Sequence, residues 1–93
     1  MATKKRYVIE REIPNIGASS PEELSGATAA SNAVLAKLAP RLQWEHSYVA
    51  GNKTFCIYLA DDEEAILEHA KLSGFPATTI TEVKAMIDPT TET

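Results

Sequence analysis

Polar and apolar residues alternate from Arg6 to Ile13 (RYVIEREI). Tyr7, Ile9 and Ile13 share one parity; Val8, Glu10 and Glu12 share the other. A period of 2 predicts a strand, and Pro14 stops it because proline brings no N–H to a ladder. At Ser20 the period changes. Ser20 can cap, Pro21 suits the first helical position, and Glu23 can reach back to the cap. Leu24, Ala27, Thr28, Ser31, Val34, Leu35 and Leu38 then recur at helical spacing up to Pro40. They form one narrow face made mostly of small residues, suited to lying close on a sheet. Gln43–Val49 and Lys53–Ala60 read as two strands joined near Gly51-Asn52. Asp61-Asp62-Glu63-Glu64 opens a second helix, with Asp61 as its expected cap and Glu64 at the third position. Ala65, Ile66, His69, Ala70 and Ser73 give its inner face, and Gly74 suits the left-handed position that ends a helix. Thr79 to Ile87 alternates once more, Val83, Ala85 and Ile87 against Glu82, Lys84 and Met86, before Asp88-Pro89.

The order strand, helix, strand, strand, helix, strand predicts an α+β, ferredoxin-like βαββαβ fold. Its four-stranded antiparallel sheet has two helices on one face. The chain is expected to form a single domain over residues 1–93, with residues 1–5 and 90–93 as loose tails. Tyr7, Ile9 and Ile13, Phe55, Ile57 and Leu59, and Val83, Ala85 and Ile87 are the expected helix-facing residues. Val8, Glu10, Glu12, Thr54, Cys56, Tyr58, Lys84 and Met86 then fall on the open face. That face is mixed in character, and pairing it with a second copy would give a homodimer of the dimeric α/β-barrel type.

The hairpin from Gln43 to Ala60 holds the only Trp and the only Cys of the chain. Its register admits two readings. A three-residue loop, Ala50-Gly51-Asn52, pairs His46 with Cys56 and Trp44 with Tyr58. A two-residue loop, Gly51-Asn52, pairs Ala50 with Lys53 and His46 with Ile57. A slip of one residue moves every side chain to the other face. The three-residue version is favoured because it gathers the aromatic and polar groups on the open face.

Composition narrows the function classes. A net charge of −4 and a pI near 5.1 argue against nucleic acid as a partner, since phosphate binding needs clustered Lys and Arg. The lone basic run, Lys4-Lys5-Arg6, sits at a terminus. No apolar run is long enough to span a membrane, and no signal sequence is visible. With a single Cys there is no internal disulfide, which suits a cytoplasmic protein.

His46, Cys56 and Glu10 are the candidate metal ligands. Imidazole, thiolate and carboxylate on neighbouring strands suit nickel, copper or zinc. No CxxC, HxxxH or HExxH motif accompanies them, and a buried Cys acting as a small hydrophobe is the plainer reading of Cys56. Trp44, Tyr48 and Tyr58 are candidates for a pocket or, more simply, for an interface. His69 reads as a packed helix residue. Glu10-Arg11-Glu12 reads as a solvated strand face with a local ion pair. No GxSxG elbow and no phosphate-cradling glycine loop is present.

The segments YVIEREIP, QWEHSYV with FCIYLA, DEEAILEHAKLSGFPA and EVKAMIDP resemble a small bacterial ferredoxin-like family of unknown function with nickel-binding members. The resemblance runs from Tyr7 to Pro89. It implies a dimer that binds a divalent metal, nickel in particular, for sequestration or sensing, with His46, Cys56 and Glu10 at the matching positions. The alternative is a dimeric α/β-barrel enzyme of monooxygenase or cyclase type. It would act on a small organic molecule, with Trp44, Tyr48 and Tyr58 lining its pocket and His46 or Glu10 as base.

Overall fold

The computed structural model describes residues 3–92. The strands are β1 (Lys5–Glu12), β2 (Leu42–Ala50), β3 (Lys53–Ala60) and β4 (Thr79–Glu82). The helices are α1 (Pro21–Leu38) and α2 (Glu63–Ser73), with short 3-10 turns at Ile16–Ala18 and Pro89–Glu92. The four strands form one antiparallel sheet in the order β2-β3-β1-β4, the ferredoxin-like arrangement expected. Residues 1, 2 and 93 lie outside the described part. Lys4, Lys5 and residues 90–92 of the expected tails are engaged. Lys4 Nζ contacts Asp61 Oδ1 at 2.9 Å, Lys5 opens β1, and Asp88 Oδ1 accepts from Thr90 N at 2.8 Å within the last turn.

Both helix starts follow from local chemistry. At α1 the capping box forms in both directions. Glu23 N donates to Ser20 Oγ at 3.1 Å and Ser20 N donates to Glu23 Oε1 at 3.0 Å. At α2 the cap is Asp62 rather than Asp61, and Asp62 Oδ1 accepts from Ala65 N at 3.1 Å. Asp61 is engaged elsewhere, with its amide on Arg41 O and its carboxylate on Lys4. Gly74 ends α2 at φ 80°, as expected.

The core lies between the helices and one face of the sheet. Tyr7 and Ile9 of β1, Cys56, Tyr58 and Ala60 of β3, and Leu42 of β2 meet Val34 and Leu38 of α1 and Ala65 and Ile66 of α2. This corrects the expected face of β3. Tyr7 pairs directly with Tyr58 and Ile9 with Cys56, so these four share the helix side. Phe55, Ile57 and Leu59 are on the open side. The sequence did not separate the two sets because both parities of FCIYLA are apolar.

β4 is shorter than its alternating pattern. Val83 N still donates to Arg6 O at 2.8 Å. Beyond that pair β1 is nearly exhausted, and a strand with no partner does not continue. Ile87 and Met86 are consequently exposed, at 78% and 77%, and Ile80 takes the inward place beside Ile9.

The β1–α1 connection is tied to the hairpin tip. Ile13 N donates to Asn52 O at 2.9 Å, Gly17 N to Gly51 O at 2.8 Å, and Asn15 N to Asn52 Oδ1 at 2.8 Å. A Cβ at Gly17 would stand 2.8 Å from Gly51 N and 3.0 Å from its Cα. Gly17→Ala is therefore expected to destabilise the fold by about 1–3 kcal/mol. Gly26→Ala, which meets nothing within 4 Å on a helix, should instead stabilise it by about 0.5–1 kcal/mol. Urea midpoints of the two variants check the contrast in sign.

Candidate functional site

The hairpin has the two-residue loop, with Ala50 opposite Lys53 and Gly51 at φ 26°. His46 accordingly pairs with Ile57, Ser47 with Cys56 and Tyr48 with Phe55. Between Trp44 and His46 the register shifts, so Glu45 is an extra residue, and Trp44 returns to its place opposite Tyr58. Each of the two expected registers thus describes part of the strand. Three hydrogen bonds hold the bulge. Trp44 Nε1 donates to Ser47 Oγ at 2.9 Å across it, and the displaced Glu45 accepts from Arg6 Nε at 2.7 Å and from a terminal Arg6 nitrogen at 3.3 Å.

The candidate residues are therefore divided between two faces. His46, Tyr48 and Glu10 stand on the open face; Cys56, Trp44 and Tyr58 stand under the helices. His46 and Tyr48 are exposed, and their rings meet edge to face at 5.2 Å. In one row across the sheet His46 is followed by Ile57 and Val8; in the next, Tyr48 is followed by Phe55 and Glu10. His46 and Glu10 are separated by two strand spacings across the sheet, roughly 9–10 Å, and by one two-residue step along it, roughly 6–7 Å. Glu10 contacts Lys53 Nζ at 3.4 Å. Cys56 is buried, with Sγ 3.5 Å from Thr54 Oγ1.

Tested as a nickel site, these three donors do not fit within one chain. Bonds to first-row metals are near 2.0–2.3 Å, whereas Cys56 is across the sheet from His46, and Glu10 is too far along it. Among the described residues, no three His, Cys, Asp or Glu side chains come together in a group able to hold a metal ion.

A second constellation lies under α1. A cavity of about 200 Å³, partly open to solvent, is bounded by Leu24, Ala27, Thr28 and Ser31 of α1, by Trp44, Ser47 and Val49 of β2, and by Thr54, Cys56 and Tyr58 of β3. Arg11 and Ile13 of the β1 side, Ile16 and Phe75 complete it. The small side chains of α1 that face Cys56 and Thr54 leave this space unfilled. Tyr58 stacks on Trp44 with centroids 6.5 Å apart and tilts against His69 at 5.6 Å. Burial pushes the Tyr58 phenol up, while the nearby Arg11 charge pulls the other way.

Arg11 is the group that pattern reading missed, and the bond between Ser31 and His69 is the contact it missed. Arg11 is 3% exposed, not on a solvated face. One terminal nitrogen donates to Pro76 O at 2.7 Å and Phe75 O at 3.4 Å; the other reaches Tyr58 Oη at 3.5 Å. The sequence did contain a signal, because Arg11 has the parity of Tyr7 and Ile9 and so had to enter the core side. His69 is fully buried, as its place on the helix face predicts, with Nε2 3.0 Å from Ser31 Oγ. Burial, then the Arg11 charge, lowers its pKa to about 4.

Among the described residues no helix is long and apolar enough to cross a membrane. No curated protein matches the chain. Among solved structures, SCO4226 from Streptomyces coelicolor A3(2) is similar, with a TM-score of 0.73 at 18% identity over 88% of this chain and 99% of that one. At that identity the likeness shows a common fold. A family model described as nickel responsive protein SCO4226-like matches residues 7–83. That span is most of the sequence, and the chain belongs to the SCO4226-like family of nickel-responsive proteins.

Proposed function

We propose that this chain is a small cytoplasmic nickel-binding protein that works in sequestration or sensing as a homodimer joined through the open face of its sheet. The observation behind the reading is the composition of that face. Val8, Phe55, Ile57 and Leu59 are only half-buried there, and the exposed His46 imidazole stands at the edge of their row. A second copy laid on this face would cover the apolar strip. It would also place its own donors opposite His46, supplying the ligands that one chain lacks. His46 is then the principal ligand of each copy, Glu10 a carboxylate contributed from the same face, and Cys56 takes no part. The family's nickel response is the chemical context that makes nickel the ion to test.

Calorimetric titration of the tag-free protein with nickel, beside sedimentation of the same samples, tests the reading. Saturable binding to a dimer is expected. His46→Ala should weaken it by at least about tenfold, Cys56→Ser should leave it unchanged, and Ile57→Asp should give monomers that bind poorly. Wild-type affinity in the His46→Ala protein would overturn the assignment.

A further inference from the structure

We propose that the cavity beneath α1 binds a small organic monocarboxylate whose apolar body is about the size of one aromatic ring, with Arg11 holding its carboxylate. The buried guanidinium has only neutral partners: the carbonyls of Phe75 and Pro76, the Tyr58 hydroxyl, and the Tyr58 ring 5.9 Å from its central carbon. Among the described residues it makes no ion pair. A buried charge without a counter-charge is unfavourable, and a carboxylate in the cavity would supply one through charge-assisted hydrogen bonds. The remaining wall selects the body of the ligand. Ile16, Leu24, Val49 and Trp44 offer apolar surface, and Ser31 and Thr54 add hydroxyl-bearing side chains to the wall. An apolar cavity of about 150 Å³ accepts benzene, so about 200 Å³ admits a ring with a carboxylate attached. The cavity is on the opposite face of the sheet from His46, and the site is independent of the nickel reading.

Calorimetry with phenylacetate, phenylacetamide and 2-phenylethylamine tests the inference. Phenylacetate should bind at least about tenfold more tightly than the amide, because only the acid neutralises Arg11. The amine should not bind. Ala27→Leu, which fills the cavity from α1, should abolish phenylacetate binding, and His46→Ala should leave it unchanged. Arg11→Gln should remove the preference for acid over amide; if that variant does not fold, the ligand series and Ala27→Leu decide. Equal binding of acid and amide, no binding of phenylacetate, or wild-type binding by the Ala27→Leu protein would overturn the proposal.

Discussion

Replacing Ile9 by alanine is expected to lower the unfolding free energy by about 4 kcal/mol. Ile9 is at the middle of β1 and is 0% exposed. It has Cys56 opposite it on one side and Ile80 on the other, with the helices above. Truncation removes three carbons from a site flanked by backbone ladders on both sides, which cannot close over the void. The loss combines lost burial with a residual cavity, and a domain of this size has a total stability of only about 5–10 kcal/mol. Urea denaturation should show the midpoint falling at unchanged slope. Ile87→Ala provides the contrast. That side chain is 78% exposed, and its removal should change stability by less than about 0.5 kcal/mol. An Ile9 variant as stable as the Ile87 variant would mean that the core is not centred on β1.

Acidification should weaken the fold through His69. In the folded chain its pKa lies at about 4, against 6.5 for the ordinary imidazole. Burial is the larger cause. The Arg11 guanidinium facing it from β1 is the second, and the Ser31 bond from α1 opposes them. Tyr58 of β3 packs against the ring as a neutral phenol. Below about pH 6.5 the unfolded chain takes up a proton that the folded chain refuses. The unfolded state then binds more protons, so the stability lost through His69 grows as the pH drops from about 6.5 to about 4, and this contribution levels off below that. At about 1.4 kcal/mol per pH unit the loss is about 3 kcal/mol. Glu23, Glu45, Glu82 and Asp88 are all held below the ordinary carboxylate range by hydrogen bonds. They titrate at lower pH and leave the upper part of this window to His69. The double variant His69→Leu with Ser31→Ala removes the titrating ring without orphaning the serine. Urea midpoints measured between pH 7 and pH 5 should decline in the wild type and stay level in the double variant. A decline of wild-type size in the variant would place the proton uptake elsewhere.

Where the chain's own chemistry decides the conformation, the sequence was legible. The Ser20–Glu23 box, the breaks at Pro14 and Pro40, and the glycine after α2 set element ends through bonds made within a few residues. Parity was legible on β1, where Glu10 and Glu12 contrast with Tyr7 and Ile9. It was not legible on β3, because Phe55, Ile57 and Leu59 are as apolar as Cys56, Tyr58 and Ala60. What assigns β3's faces is its pairing with β1, a contact between residues more than forty positions apart. The same holds for the end of β4, which is set by where β1 runs out. It holds too for Arg11, whose place in the core depends on carbonyls at Phe75 and Pro76. The candidate site suffered most, because it needed two strands to agree on a face.

The single extra residue at Glu45 has a consequence for comparing this chain with its relatives. On one side of it, Leu42 and Trp44 serve the interior; on the other, His46 and Tyr48 serve the exterior. A relative with one residue fewer between this histidine and the hairpin turn could keep the Trp-Glu-His run, pair it without a bulge, and present its imidazole to the inside. Matching histidines in an alignment are therefore equivalent only when the spacing between the histidine and the hairpin turn is also the same.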